Sequence, residues 1–410
     1  MDHRPWLYSK AGDPGWGMSM SVERGKPMKI CFVTHKVKKG DGQGRVNYEV
    51  IIEALRQGHE IIVISSELSE DLRSDPRVEW VQIHVRRVPT FLLRYQAFAI
   101  WSAISLWIRR SRIDLVVVNG FITYAGSDIN CIHFVHSAWV KSKYHPFRER
   151  KTIHSLYQLV YNSLNAFLER IFLRRTRHII AVSEQVKQEL VQDAGIAADR
   201  ITVVPNGVDL NEFYPRSVNR ADFQLEENRI YALFAGDLKS KRKNLDTVLK
   251  ALAEVPDIHL LVLGDVDKSP YPKLAEQLGL NERVVFLGYR KDIADIMSLS
   301  DLFVFPSRYE PFSLVILEAM ATGLPVITSS RCGVVELLSE DAAVVMDDPE
   351  DTQALVSALR ELVNNHERIQ LMAQKAREDA GRNSWGRMSI QYLSLFQETS
   401  RVKFHTSKQT

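Results

Sequence analysis

Two series of short apolar segments, each alternating with helical stretches, constrain the fold of this chain more than any other feature. The first series comprises residues 29–34, 60–65, 78–85, 114–119, 130–136, 178–183 and 201–204. The second comprises residues 230–236, 258–264, 283–288, 301–305, 325–328 and 342–346. Near-continuous runs of Val, Ile and Leu between helices are typical of parallel strands that helices cover on both faces. The sequence therefore predicts an α/β protein with two doubly wound domains.

A turn-rich linker at residues 205–215 separates the two series. With 410 residues, the chain is long enough for two or three domains with their own cores. We expect an N-terminal domain at 28–205, a second domain at 206–384, a last helix at 385–400 and a tail at 401–410. Residues 1–27 lack an apolar core of signal-peptide length, so we predict a poorly ordered extension and not a targeting signal.

Composition excludes several classes of protein. The formal net charge of +3 does not indicate a broad nucleic-acid surface, so we predict no nucleic-acid partner. Cys31, Cys131 and Cys332 are far apart and lack metal-ligand spacing, which favours a reduced, cytoplasmic compartment. The Asp-x-Asp at residues 265–267 follows a predicted strand and favours an ordinary loop. We predict no metal and no cofactor.

The longest apolar stretch, residues 95–108, is followed by Arg109 and Arg110. It is shorter than the roughly 18 residues of a membrane span. An interfacial helix with tryptophans and arginines at the headgroups is one interpretation. We favour a helix buried against the sheet, because predicted strands flank it.

Two carboxylates lie in the segment after the predicted strand 301–305. Glu310 lies in the loop, and Glu318 lies in a helix predicted from about residue 313 to 322, which Gly323 and Pro325 end. Apolar neighbours on all sides predict that this helix is buried all round. A buried carboxylate needs hydrogen-bond donors, which a neighbouring Arg, Lys or amide, or a ligand's hydroxyls, would supply.

Seven residues separate the two carboxylates, and Ala-Met-Ala-Thr-Gly-Leu-Pro-Val follows. This pattern resembles the Glu-x7-Glu signature of the retaining glycosyltransferases of family four. The resemblance covers nearly the whole chain after residue 28. It implies a GT-B fold, in which two Rossmann-like domains face a cleft and the last helix crosses back to the N-terminal domain. It also implies sugar transfer from a nucleotide-diphosphate sugar, with retention and without a metal; in that reaction Glu310 holds sugar hydroxyls and Glu318 accepts from the ribose hydroxyls.

A cationic loop at residues 236–244 follows the first strand of the second series. Without context it fits a solvated basic loop as well as a diphosphate site. Arg242 and Lys243 resemble the family's Arg-Lys-Gly, which holds the donor diphosphate. Asn244 stands in place of the Gly, and Asp237 replaces the family's first Arg, for which Arg242 or Lys241 would compensate.

The predicted helix start near Ser313 adds one further part of the site, and the resemblance adds another. The backbone amides of Phe312, Ser313 and Leu314, near a helix start, would stabilise the departing diphosphate. Gly288 and Tyr289 would meet the nucleotide base.

His136, at the end of the predicted strand 130–136, resembles the histidine that contacts the transferred sugar; His133 is the competing choice. Residues 330–336 resemble a loop that we expect to be structural.

A glycine-rich loop at residues 38–45 follows the first strand and precedes a helix predicted to begin near Val46. Gly42 and Gly44 would let backbone amides approach an anion. The glycines lie several residues past the strand and Glu67 is poorly placed for a ribose, which argues against NAD. The resemblance assigns the loop to the diphosphate or the acceptor side.

A glycan or lipid-linked acceptor is expected to contact the N-terminal domain. Its basic residues include Lys141, Lys143, Arg170, Arg174, Arg175 and Arg177. They would either dock peripherally on the inner face of a membrane or form a solvated helix face, and we favour the solvated face for most of them. A sugar-nucleotide epimerase on the same fold, a non-catalytic binding protein and an NAD-dependent enzyme are the alternatives.

Overall fold

The computed structural model describes residues 26–406, and these residues form two compact units. The carboxy-terminal unit is Val208–Ser384. The amino-terminal unit joins the described residues up to Gly207 with those from Trp385 onward. The backbone N–H of Val208 donates to the Asn383 carbonyl at 2.9 Å, so the chain enters and leaves the carboxy-terminal unit at adjacent positions. The predicted extension at 1–27 lies outside the described residues, apart from its last two positions.

The amino-terminal unit contains a parallel sheet of seven strands in the order β5-β3-β1-β6-β7-β8-β9. A separate pair, β2 with β4, is also parallel. The strands are β1 (Lys29–Val33), β2 (Lys36–Val37), β3 (Glu60–Ser65), β4 (Glu67–Leu68), β5 (Val78–Gln82), β6 (Leu115–Asn119), β7 (Ile129–Ile132), β8 (His178–Ala181) and β9 (Ile201–Val203).

Helices connect these strands and cover the sheet. They are α1 (Gly42–Arg56), α2 (Glu70–Ser74), α3 (Phe91–Arg109), α4 (His136–Lys141), α5 (Pro146–Glu149), α6 (Ile153–Arg175) and α7 (Glu184–Glu189). The terminal helix of the chain also belongs to this unit, since it packs against α1 and its Phe396 ring lies 6.0 Å from Phe32 of β1.

The carboxy-terminal unit contains a parallel sheet of six strands in the order β12-β11-β10-β13-β14-β15. The strands are β10 (Ile230–Ala235), β11 (Ile258–Leu263), β12 (Val284–Gly288), β13 (Leu302–Phe305), β14 (Val326–Ser329) and β15 (Ala343–Met346). The helices of this unit are α8 (Leu245–Glu254), α9 (Tyr271–Gln277), α10 (Ile293–Leu299), α11 (Leu314–Ala321), α12 (Thr352–Asn364) and α13 (His366–Gly381), and the terminal helix is α14 (Trp385–Thr406).

Both sheets confirm the predicted class of two doubly wound parallel sheets. In each sheet the first strand lies in the interior, and the next strands are added first on one side of it and then on the other. This is the Rossmann strand order. Because all strands of a sheet run in one direction, their carboxyl ends share one edge. That edge is where open α/β sheets bind ligands.

Some predicted boundaries are wrong. The strand predicted at 130–136 ends at Ile132, and the strand predicted at 78–85 ends at Gln82. The helix predicted near Val46 begins at Gly42, because Asp41 caps it. The terminal helix continues past the predicted residue 400 to Thr406.

Helix α3 is not the buried helix that the sequence favoured. Its Phe98 and Leu106 are buried in one cluster with Cys31 and Val33 of β1, so one face packs on the sheet. The opposite face is exposed, with Trp107 81% accessible. Sequence periodicity did not separate the two faces, because both are apolar.

Candidate active site

Glycines end the three strands at one side of the carboxy-terminal sheet. Gly236 and Gly264 directly follow β10 and β11, and Gly288 is the last residue of β12. Gly264 has φ +150°, and a Cβ there would lie 2.2 Å from the Gly236 carbonyl oxygen. Only glycine permits this approach of the two loops. A Cβ on Gly236 would lie 3.5 Å from Lys243 Cγ, so this bare backbone also leaves room for the lysine.

Lys243 and Glu310 form an ion pair at this edge, which joins the loop after β10 to the loop after β13. Both side chains are nearly buried, and the Lys243 ammonium lies 5.3 Å from the centre of the Phe305 ring. Burial acts to raise the pKa of Glu310, but the charges of Lys243 and Arg242 outweigh it and hold that pKa below its usual value. Glu310 is therefore a carboxylate at neutral pH.

Arg242 lies beside this pair. Its Nη1 is 3.5 Å from the Tyr309 carbonyl oxygen. Its own carbonyl oxygen accepts from the Arg308 N–H at 2.8 Å and from the Ser307 hydroxyl at 2.9 Å. These bonds fix the cationic loop against the loop that presents Glu310.

Asn244 occupies the position at which the resemblance implies a glycine after the cations. It has φ +67° and ψ +36°, a left-handed conformation that asparagine tolerates better than other side chains with a Cβ. Its buried Nδ2 donates to the carbonyls of Pro306, at 2.8 Å, and Pro349, at 2.5 Å. The side chain thus adds bonds to the loop that glycine does not make.

The loop after β14 supports the loop of Glu310 from the other side. The Glu310 N–H donates to the Arg331 carbonyl at 3.0 Å, and the Gly333 N–H donates to the Glu310 carbonyl at 2.9 Å. The Val334 N–H donates to the Phe312 carbonyl at 2.9 Å. This backbone pairing gives residues 330–336 the structural role that we expected.

Ser313 adopts a conformation that side chains rarely occupy. Its φ is +87° and its ψ +89°, directly before α11. Its hydroxyl is buried and has no hydrogen-bond partner among the described residues. Strain of this kind costs on the order of 1–3 kcal/mol and clusters at ligand sites. The conformation of Ser313 places the backbone amides of Phe312, Ser313 and Leu314 at the start of α11.

Glu318 is less buried than predicted. Ile316, Leu317 and Ala319 are buried, but Glu318 is half-buried. Leu314 and Val315, one turn earlier on the same face, are half-buried as well. The prediction of a helix buried all round is wrong, because this face opens at the edge of the sheet. The carboxylate is therefore within reach of a ligand.

Asp237 stands where the resemblance implies an arginine, and it supplies no positive charge there. It is exposed and accepts from the Lys239 N–H at 2.9 Å. The Lys239 ammonium pairs at 2.5 Å with Asp265, which also accepts from the Asp267 N–H at 3.0 Å. The Asp-x-Asp is thus a turn with a lysine partner.

Tyr289, which follows Gly288 (φ +70°) at the edge strand, is 73% exposed. A planar ring in that position is free to meet a base.

His136 does not close a strand; it is the first residue of α4. Its N–H and its Nδ1 lie 3.1 Å and 3.2 Å from Oε2 of Glu169, which is buried in α6. This contact orients the imidazole ring of His136. Glu169 was missed by sequence reasoning, although it is the one acid between residues 150 and 183.

Two other histidines follow strands of the amino-terminal sheet. His35 follows β1 and His133 follows β7, and burial lowers the pKa of each to about 4. Both are therefore neutral at physiological pH. His35 packs against the Tyr95 and Phe98 rings at 4.9 Å and 4.5 Å. The rule that singled out His136, a histidine after a strand, identifies His35 equally.

The glycine-rich loop is less suited to an anion than predicted. Gly42 and Gly44 lie in the first turn of α1, and the Asp41 carboxylate accepts from the Gly44 N–H at 2.9 Å. A carboxylate therefore already occupies this helix start, and it repels a second anion.

Metal-ligand clusters are not found in the described part of the chain. No group of three or more His, Cys, Asp or Glu side chains there has an arrangement that could hold a metal ion.

Two family models match successive parts of the chain. The model of Glycosyltransferase Family 4 matches residues 40–212, and the model of Glycosyl transferases group 1 matches residues 215–379. The chain is 29% identical over 280 residues to the UDP-Gal:alpha-D-GlcNAc-diphosphoundecaprenol alpha-1,3-galactosyltransferase of Escherichia coli. The matched region covers 63% of this chain and 69% of that relative.

Solved structures show the same architecture. Sucrose-phosphate synthase of Thermosynechococcus elongatus has a TM-score of 0.76 at 19% identity, over 90% of this chain and 98% of its own. Alr3699/HepE of Anabaena, in complex with UDP-glucose, has a TM-score of 0.67 at 20% identity, over 90% and 100%. The fold is the GT-B fold of glycosyltransferases. The chain belongs to glycosyltransferase family four, the glycosyl transferases group 1.

Proposed function

We propose that this protein transfers a hexosyl group from a nucleotide-diphosphate sugar to a glycan or lipid-linked acceptor, with retention and without a divalent metal. The observation that supports this most is the ion pair of Lys243 and Glu310 with Arg242 beside it, at the ligand-binding edge of the carboxy-terminal sheet. The UDP-glucose complex of the Anabaena protein and the galactosyltransferase activity named for the E. coli relative support the donor class.

The cations have the first role in the proposed reaction. Lys243 and Arg242 bind the diphosphate and neutralise the charge that develops on it as the glycosidic bond breaks. The amides at Phe312, Ser313 and Leu314 donate to the same phosphates, aided by the partial positive charge at the α11 start. Because the charge is met by fixed donors, little reorganisation is needed during the reaction.

The carboxylates have the second role. Glu310, released from Lys243 when the phosphates take that lysine, accepts from sugar hydroxyls near the anomeric carbon. Glu318, on the open face of α11, accepts from the ribose hydroxyls, and Tyr289 meets the base. In the amino-terminal unit, His136, oriented by Glu169, contacts the transferred sugar.

The reaction uses a soluble donor, and the three cysteines are free and buried. We therefore place the protein in the cytoplasm, with a lipid-linked acceptor presented at the inner face of the membrane.

The test measures what the purified protein makes from each candidate donor. UDP-, GDP- and ADP-hexoses are incubated with and without lipid-linked and glycan acceptors, and proton NMR reads the anomeric configuration of the product. We expect one donor to give an α-linked product from an α-linked donor, only when an acceptor is present. Release of an epimerised sugar nucleotide without acceptor would contradict the proposal and identify an epimerase.

Two variants assign the site in the same assay. Glu310→Gln keeps the size of the side chain but removes its charge, and we expect a loss of transfer of about a hundredfold or more. Glu276→Gln, at an exposed acid of the same unit, is the matched control and should retain wild-type turnover. Equal turnover in both variants would remove Glu310 from the site.

A further inference from the structure

Helix α3 presents large apolar side chains to solvent along one face. The exposed residues are Ile100, Trp101, Ile104, Trp107 and Ile108, at 49%, 57%, 42%, 81% and 63% accessibility. Their spacings of three and four residues place them on one side of the helix, opposite the face that packs on the sheet. Five large side chains in one row make a contiguous apolar patch, which soluble proteins expose mainly at interaction sites.

A second apolar stripe runs along α6. Its exposed members are Ile153, Leu156, Val160 and Phe167, at 90%, 48%, 50% and 62% accessibility. Helix α6 lies beside α3, since the Tyr157 hydroxyl accepts from the Leu92 N–H at 2.8 Å and the Tyr161 ring lies 5.2 Å from the Phe91 ring. The amino-terminal end of α3 therefore contacts α6. We call the exposed apolar residues of the two helices together the α3/α6 face.

The segments that build this face are strongly cationic. Residues 86–112 contain six arginines and no acid, and residues 136–177 contain nine lysines and arginines and two acids. The whole chain is nearly balanced, with 53 cations and 50 acids. All nine cations of the second segment and its acid Glu149 are exposed, whereas its other acid, Glu169, is buried. Asp193 offsets part of this charge, since it pairs with Lys141 at 2.7 Å. Ion pairs of Glu79 with Arg109 and Arg112 offset part of the charge at the α3 end.

We propose that the α3/α6 face binds the surface of an anionic lipid bilayer. The apolar side chains insert between headgroups, the two tryptophans lie at the interface, and the arginines and lysines contact anionic headgroups. This combination of an apolar face with flanking cations is typical of helices that lie in the plane of a membrane.

Helix α3 lies on the bilayer and does not span it. Within the described residues, the stretch Phe91–Arg112 is long and apolar enough to cross a membrane by length and composition. However, Phe98 and Leu106 belong to the core of the sheet, together with Ile62 and Val116. Extraction of the helix would expose that core, so the structure permits only the opposite face to enter lipid.

Charge favours lipid over a second copy of the chain. In a twofold dimer through this face, the cationic segments of both copies would approach each other and repel. An anionic bilayer neutralises the same cations. The inference deepens the proposed function, because docking would bring the protein to a lipid-linked acceptor. Its test uses neither donor nor acceptor, so the two proposals fail separately.

The experiment measures co-sedimentation with vesicles of phosphatidylcholine, alone or with phosphatidylglycerol at about three to one. The first variant of the full chain carries Trp101→Gln and Trp107→Gln together. Its matched control is Leu371→Gln, because Leu371 is 42% exposed and lies in the other unit. A second variant carries Arg170→Gln and Arg174→Gln together, and its matched control is Lys250→Gln. Circular dichroism confirms that each variant is folded, and acyl chains brominated near the headgroup test whether tryptophan fluorescence is quenched.

We expect the wild type to bind the anionic vesicles, with quenched and blue-shifted tryptophan emission. The tryptophan pair should weaken binding by about tenfold or more, and the arginine pair should remove much of its dependence on salt. Leu371→Gln and Lys250→Gln should bind as the wild type does. Absence of binding to anionic vesicles, or undiminished binding by the tryptophan variant, would overturn the proposal. So would a dimer in light scattering that the tryptophan variant abolishes, since the occupant would then be a second copy.

Discussion

The two sheets have the same strand order, yet their carboxyl edges carry different chemistry. In the carboxy-terminal unit, glycine-ended strands surround an ion pair, Lys243 with Glu310. In the amino-terminal unit, His35 and His133 follow strands; their Nε2 atoms are buried and both rings are neutral. The first edge therefore carries charged side chains, and the second carries uncharged histidines. The comparison teaches that the fold supplies the edge, while a few side chains decide what binds there.

Removal of the central lysine should have the largest effect. Lys243→Ala removes a diphosphate ligand and leaves Glu310 nearly buried without its partner, so we expect transfer to fall by about a hundredfold to a thousandfold. Steady-state kinetics with the identified donor measures the loss. Lys250→Ala, at an exposed lysine of α8, is the control.

A double variant separates catalysis from folding. Lys243→Met with Glu310→Gln removes both charges, so it should melt near the wild type and still fail to bind donor. If this folded variant transferred sugar normally, the charged edge would not be the site.

Alanine substitution of a glycine should destabilise the carboxy-terminal unit at Gly264 more than the amino-terminal unit at Gly58. Gly264→Ala places a Cβ 2.2 Å from a carbonyl oxygen, and we expect the free energy of unfolding of the carboxy-terminal unit to fall by about 3 kcal/mol or more. Gly58→Ala in the amino-terminal unit meets no atom within 4 Å, although its φ is +88°. It should cost only about 1–2 kcal/mol. Urea unfolding compares the two, and equal losses would show that the close approach at Gly264 does not exist.

Acid should weaken the amino-terminal unit first. Burial lowers the pKa of His35 and His133 from 6.5 to about 4, so the unfolded chain binds their protons more readily than the folded chain. Stability is therefore lost as the pH falls from about 6.5 to 4, by at most about 1.4 kcal/mol per pH unit for each histidine. The depressed pKa of Glu310 acts only at lower pH, below the ordinary value of 4.5.

Tryptophan fluorescence can follow this loss, because residues 208–384 contain no tryptophan. Thermal unfolding by fluorescence should show a midpoint that falls between pH 6.5 and 4.5, and His133→Gln should reduce the slope. A midpoint that stays constant over that range would contradict the assignment of buried neutral histidines. Burial also lowers the pKa of His59, His145 and His178 in this unit, whereas His259 is the one described histidine of the other unit with a lowered pKa.

The smallest effect is expected at Ser313. Ser313→Gly relieves the positive φ and should raise the free energy of unfolding by about 1 kcal/mol while donor affinity is retained. Differential scanning calorimetry detects the shift. A stabilised variant that loses donor affinity would show that the buried Ser313 hydroxyl itself contacts the ligand.

Strand positions could be predicted well, because buried parallel strands are apolar along their whole length. The strand at Glu60–Ser65 was predicted to the residue, and the doubly wound class followed from the alternation with helices. Helix starts were harder to predict. Helix α1 begins at Gly42, four residues before the predicted start, because the Asp41 side chain caps it by accepting from a backbone N–H. The apolar pattern does not report such a cap.

The site could be predicted only in part. The resemblance to glycosyltransferase family four, carried by the spacing of Glu310 and Glu318 and by the cations Arg242 and Lys243, assigned these residues to the site, and their roles stay predictions. The ion pair of Lys243 with Glu310 joins residues 67 positions apart, so only the fold brings them together. The buried Glu169 beside His136 depends on the packing of α4 on α6, which no local pattern contains.

The central claim is tested most directly by donor binding, measured by thermal stabilisation with UDP-, GDP- and ADP-hexoses, with and without EDTA and with NAD as a control. A donor at about a hundred times its dissociation constant should stabilise the wild type by about 2.7 kcal/mol. The account predicts a selective shift with one nucleotide sugar that EDTA does not change and that Lys243→Met with Glu310→Gln abolishes. A shift with NAD alone, or a shift that the folded double variant retains, would contradict it.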